Sequence, residues 1–145
     1  MAERVVLKIG GGILRNQSDL ENLAGILRRN SHRENILVVS ALNGVTNMLL
    51  GAYSSGQNIT GQIRQKHREG FDFESPRLEP ALGKLDELLS GKERSLEREE
   101  RIACFGEKLS SAFVGDFLNS RGIPAISMDS EACGIESDGR FKNAN

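Results

Sequence analysis

The chain has 145 residues, 19 basic and 20 acidic, with a formal net charge of −1. One domain is the default at that length, and the even charge balance gives no electrostatic footprint for nucleic acid or an anionic membrane. No apolar run approaches the roughly 20 residues that span a bilayer, and Met1-Ala2-Glu3-Arg4 lacks the marks of a signal peptide, so the expected location is cytoplasmic. Cys104 and Cys133 show neither C-x-x-C nor metal-type spacing, which points to free thiols in a reducing compartment and no metal site. His32 and His67 stand among charged residues, where solvated surface positions are expected.

Val5-Val6-Leu7-Lys8-Ile9 is short, apolar and β-branched at its start, and predicts a buried strand. It runs into Gly10, Gly11 and Gly12. Glycines let the backbone turn tightly and aim N–H groups at an anion, and Lys8 adds a mobile point charge. The pattern is not a P-loop, because the lysine precedes the glycines and no G-K-[ST] follows. It is not the dinucleotide fingerprint either, since Arg15 stands where a third glycine is needed. An ordinary strand-to-helix turn with a solvated lysine fits this segment equally well.

Ser18-Asp19-Leu20-Glu21 matches a capping box, opening a helix with Leu20, Leu23, Ala24 and Leu27 on one face. Residues 35–40 (Asn-Ile-Leu-Val-Val-Ser) predict a second buried strand. A small polar turn follows, and a helix starts at Gly44. Residues 51–100 are a polar excursion punctuated by Gly70, Pro76, Pro80 and Gly83, with short helices such as 80–89. A charged stretch from Ser95 leads into a long helix ending near Arg121-Gly122. Residues 123–128 predict a third strand, and Asp138-Gly139 a tight turn. Strands alternating with helices imply an α/β fold with a largely parallel sheet.

Two further places carry chemistry. Ligands of open α/β sheets bind beyond the carboxyl ends of strands, which is where Ser40, Asn43 and Thr46 fall. Helix capping by Asn43 is the plainer reading of that residue. In the long helix, Ile102, Phe105, Leu109, Phe113 and Phe117 form one side, and Ala103, Cys104, Ser111, Val114 and Leu118 the other. Glu107 lies on the second side among small residues. A carboxylate there needs a partner: a ligand's ammonium or hydroxyl, or a helix–helix ion pair, unless it faces solvent.

Together these segments resemble the aspartokinases of the amino-acid-kinase superfamily. Lys8-Ile9-Gly10-Gly11 is similar to the K-F-G-G opening, Ser40 through Leu50 to the S-A-x-x-G-V-T-[ND]-x-L-L block, and Phe105 through Ser110 to F-G-E-[RK]-L-S. Gly122 through Ala125, Asp129, Gly134-Ile135, Ser137-Asp138 and Phe141 to Ala144 resemble the segment that follows. The resemblance implies a three-layer α/β/α sandwich of the carbamate-kinase type. It implies that residues 1–145 are the amino-terminal, acid-substrate half of that domain.

The activity implied is ATP-dependent phosphorylation of the β-carboxylate of L-aspartate, the first step of aspartate-family amino-acid biosynthesis. Lys8 would contact the transferred phosphoryl group, Gly10, Gly11 and Gly12 the phosphate oxygens, Ser40 and Thr46 the aspartate, and Glu107 its α-ammonium. The attacking carboxylate is already a nucleophile, so catalysis reduces to positioning and charge neutralisation. Gly12 and Ile13 replace hydroxyl residues of the family. The family's T-T-L-G-R-G-G-S-D-type block, with its catalytic aspartate, has no counterpart here. The expectation is therefore Mg-ATP for the complete enzyme but no strong nucleotide binding by this half alone, no turnover, and self-association or a separate chain completing the domain. A kinase half for another small acid, or a non-catalytic binding or assembly module, is the alternative.

Overall fold

The computed structural model describes residues 3–130 and 132–135. Strands β1 (Arg4–Ile9) and β2 (Glu34–Val39) pair in parallel, with Arg4 opposite Glu34 and Ile9 opposite Val39. Parallel neighbours need a crossover, and helix α1 (Gln17–Arg29) supplies it. Side chains alternate across the sheet. Leu7, Ile9, Leu37 and Val39 turn into the core, while Val6, Lys8, Ile36 and Val38 face outward and are exposed. The α/β class and the parallel sheet are as expected. Among the described residues the helices pack on the inner face, and the outer face is uncovered.

The cap of α1 differs from expectation. Asn16, not Ser18, is the N-cap: its side chain accepts from the Asp19 N–H at 3.1 Å. Asp19 accepts in return from the Arg15 N–H at 3.0 Å. Asp19 thus reaches back to the residue before the cap, one position earlier than the third-position carboxylate of a capping box does. Gln17 N–H, donating to Gly70 O at 2.7 Å, holds that earlier register. Glu21 is free to pair with Arg121, 2.8 Å away.

Helices α2 (Val45–Ser55), α3 (Thr60–Lys66), α4 (Leu78–Ser90), α5 (Leu96–Ala103) and α6 (Phe105–Ser120) complete the order. The expected single long helix is broken at Cys104, which is exposed. Helix α6 is buried on both sides, with Phe113 and Phe117 on one and Val114 and Leu118 on the other. The polar excursion contributes core residues: Ile59, Ile63, Leu78, Leu82 and Leu85 are all buried. Phe71 meets Phe113 edge-on at 5.0 Å, and Phe73 does so at 5.7 Å.

His67 is fully buried, contrary to the surface position expected of it. It follows Ile63 by four residues on one helical face, so its charged neighbours point outward while it points in. Its Nδ1 lies 2.9 Å from Ile63 O, and its ring meets Phe113 edge-on at 5.7 Å. Residues 123–128 are not a strand: among the described residues β1 and β2 form the whole sheet. Their exposure alternates residue by residue as a strand's would, but they lack a ladder partner. Asp138-Gly139 lies outside the described residues.

Candidate active site

Three segments converge at the carboxyl end of the sheet, and two glycines bring them there. After β1, residues 11–13 make one 3-10 turn, with Ile13 N–H donating to Gly10 O at 3.0 Å. A Cβ on Gly11 would stand 2.3 Å from the Ala41 carbonyl oxygen, so only glycine lets this loop lie against the turn after β2. Gly10 and Gly12 have open space around them. A Cβ on Gly106 would sit 2.8 Å from Ala41 Cβ and 3.2 Å from Val45 Cγ1. The start of α6 is thus pressed onto the same turn from the other side. Ser40 N–H donates to Ile9 O at 2.9 Å, extending the β1–β2 pairing to the rim of the site.

Gly44 takes φ +83° to start α2. No side chain caps that helix, so the capping role expected of Asn43 is not observed. Thr46 sits half-buried in the first turn of α2. Ser40 shares the outward parity of Lys8 and Val38. Lys8 is exposed and has no hydrogen bond or ion pair among the described residues.

Glu107 lies in the first turn of α6, where the helix dipole favours a carboxylate. Its Oε2 is buried and without a hydrogen-bond partner. The residue as a whole is half-buried, and among the described residues no ion pair with another helix engages it. Partial desolvation raises the pKa of the neighbouring Cys104 thiol; Glu107 and Glu100 add to the rise and Lys108 opposes it. That environment makes an inert thiol rather than a nucleophile. The described residues include no cluster of three or more His, Cys, Asp or Glu placed to hold a metal ion. Among them no helix is long and apolar enough to cross a membrane.

A cavity of about 320 Å³ adjoins the glycine turn, lined by Leu14, Arg15, Leu42, Asn43, Lys66 and Gly70 among others. The sequence reading did not single out Arg15 or Lys66. Arg15 follows the loop directly and was there to be noticed, although Asp19 engages it at 3.0 Å. Lys66 arrives from the helical excursion, and no local pattern announces it. A larger cavity, about 680 Å³, lies elsewhere, along the outer edge of β2.

The model of the amino acid kinase family matches residues 3–145. The chain belongs to that family. It is 25% identical over 157 residues to the chloroplastic aspartokinase 1 of Arabidopsis thaliana, covering 97% of this chain and 28% of that protein. It is also 25% identical over 159 residues to the chloroplastic aspartokinase 2 of the same plant, covering 97% of this chain and 29% of that protein. The fold is similar to E. coli aspartokinase III, solved in complex with aspartate and ADP in its R-state. The TM-score is 0.69 at 20% identity, over 83% of this chain and 30% of that one. The chain thus spans under a third of the length of the aspartokinases it matches.

Proposed function

We propose that this amino acid kinase chain supplies the acid-binding and phosphate-loop part of an aspartokinase. The reaction is transfer of a phosphoryl group from Mg-ATP to the β-carboxylate of L-aspartate. One observation carries the reading: the buried, unpartnered Oε2 of Glu107, at the point where Gly11 and Gly106 draw three segments together. A buried carboxylate oxygen without a partner is costly, and a substrate ammonium would satisfy it. Ser40 and Thr46 line the turn beside it and can donate to a carboxylate. Mg-ATP supplies the phosphoryl group when bound. The free amides around Gly10 and Gly12, with unpaired Lys8, fit the oxygens of such a group.

Substitution of Gly12 and the exposed Ile13 for the family's hydroxyl residues favours one second reading, a kinase part for a different small acid. Calorimetric titration with L-aspartate, L-glutamate and ATP separates the two. The expected result is saturable heat with L-aspartate, at least tenfold weaker in Glu107→Ala with the fold intact. Tighter binding of L-glutamate would shift the substrate. Affinity unchanged in Glu107→Ala would remove this carboxylate from the site.

A further inference from the structure

Ser110 is a buried polar side chain that the fold itself leaves without a use. Among the described residues the buried polar side chains are those of Thr60, His67, Ser75 and Ser110. Thr60 donates to Asn58 Oδ1 at 2.8 Å, Ser75 bonds Asp116, and His67 Nδ1 lies 2.9 Å from Ile63 O. Ser110 is 0% exposed, and its Oγ has no hydrogen-bond partner. A serine inside a helix ordinarily turns its hydroxyl to solvent or to the carbonyl four residues back. Here it does neither. Alanine suits such a position better, with its higher helix propensity and no hydroxyl to desolvate. The hydroxyl costs stability, and that calls for a role outside the fold.

Its place on α6 supplies one. Cα–Cβ bonds tilt toward a helix's N-terminus, so the Ser110 side chain lies over the preceding turn. Gly106 and Glu107, four and three residues back, share its face. Gly106 has no side chain and is pressed onto Ala41, which leaves Glu107 as the side-chain neighbour in that turn. Glu107 Oε2 is itself buried and without a partner. An orphaned donor and an orphaned acceptor thus stand one helical turn apart. Rotation between staggered χ1 wells swings the hydroxyl toward or away from the carboxylate.

We propose that Ser110 is a positioning residue of the acid site: its hydroxyl donates to Glu107 Oε2 and fixes the carboxylate for a substrate ammonium. The inference rests on the aspartokinase reading and deepens it. A carboxylate oxygen carries two lone pairs, so Oε2 accepts from the hydroxyl and the ammonium together. Ser110 needs no contact with the substrate, which suits a side chain that solvent does not reach. With the hydroxyl in place, the carboxylate is oriented before the acid arrives. Without it, the ammonium must order that side chain on binding, and affinity falls.

Titration of the full chain with L-aspartate, read by NMR chemical shifts so that weak affinities are measurable, tests this in a double-mutant cycle. Ser110→Ala should weaken binding by about tenfold, the scale of one hydrogen bond to a charged group, with the urea midpoint unchanged or raised. Ser110→Cys keeps the shape but donates weakly, and should weaken binding too. In a Glu107→Ala background the same Ser110→Ala change should have no further effect, because the carboxylate it serves is gone. His67, whose Nε2 is also buried and orphaned, provides the control. His67→Phe should leave the effect of Ser110→Ala intact.

Undiminished affinity in Ser110→Ala, an equal loss with and without Glu107, a lowered urea midpoint, or a loss abolished by His67→Phe would each overturn the role. Weakening by Glu107→Ala with Ser110→Ala inert leaves the acid reading standing without this inference. If the natural chain binds no L-aspartate, or Glu107→Ala leaves its affinity unchanged, the acid reading fails and takes this role with it.

Discussion

Gly106 and Gly11 decide whether the candidate site exists, because each allows an approach that a single methyl group forbids. For Gly106→Ala the added Cβ meets Ala41 Cβ at 2.8 Å, and overpacking of this kind destabilises by about 1–3 kcal/mol. The urea midpoint should fall accordingly, and adding Ala41→Gly should restore most of it; independent, additive losses would show that the two are not in contact. Lys8 is the opposite case, exposed and unpaired. Lys8→Ala should change stability by less than about 0.5 kcal/mol, yet abolish phosphoryl transfer in any reconstituted enzyme, and retained transfer would give the glycine loop another job. At this scale the sequence was informative about chemistry and silent about packing. Glu107 stood out as a carboxylate among small residues. Three consecutive glycines look alike in a sequence, and only the approach of Ala41 singles out Gly11.

The elements show why some readings failed. β1 and β2 were legible because a short, β-branched apolar run satisfies both propensity and pairing. Residues 123–128 have the same alternation, but a strand is defined by its ladder, and among the described residues they pair with no other strand. His67 was misread because its neighbours in sequence are charged, whereas its neighbours in space are Ile63 and Phe113. Its burial makes a prediction about α3 and its packing on α6. Desolvation lowers the His67 pKa below the ordinary 6.5, with the bond to Ile63 O opposing in part. The unfolded chain then binds this proton at a higher pH than the folded one does. Above about pH 6.5 neither state carries it and stability is unaffected; as pH falls below 6.5, the unfolded state gains the proton first and stability drops. Urea midpoints at pH 7 and pH 5 should differ more in the natural chain than in His67→Phe. An equal difference would mean that the acid sensitivity lies in other groups.

At the scale of the molecule, what is present and what is absent from the site argue for one outcome. One helical layer and two strands bring the glycine turn and the start of α6, with Glu107 in its first turn, against the turn after β2, and the chain spans under a third of the aspartokinases it resembles. Lys8 and the loop amides can offset part of the charge on a transferred phosphoryl group. In-line transfer also takes groups that hold the nucleotide and its magnesium ion against the attacking carboxylate. Loss of a single electrostatic element already lowers rates by about 10²–10³. The chain on its own should therefore bind L-aspartate without turning it over, which a coupled assay for ADP release measures against a no-enzyme blank. Release at ordinary enzyme rates, about 1–10³ per second, would mean that these residues hold a complete phosphotransfer site. The acid-binding role argued for Glu107 would then be one part of a self-sufficient enzyme.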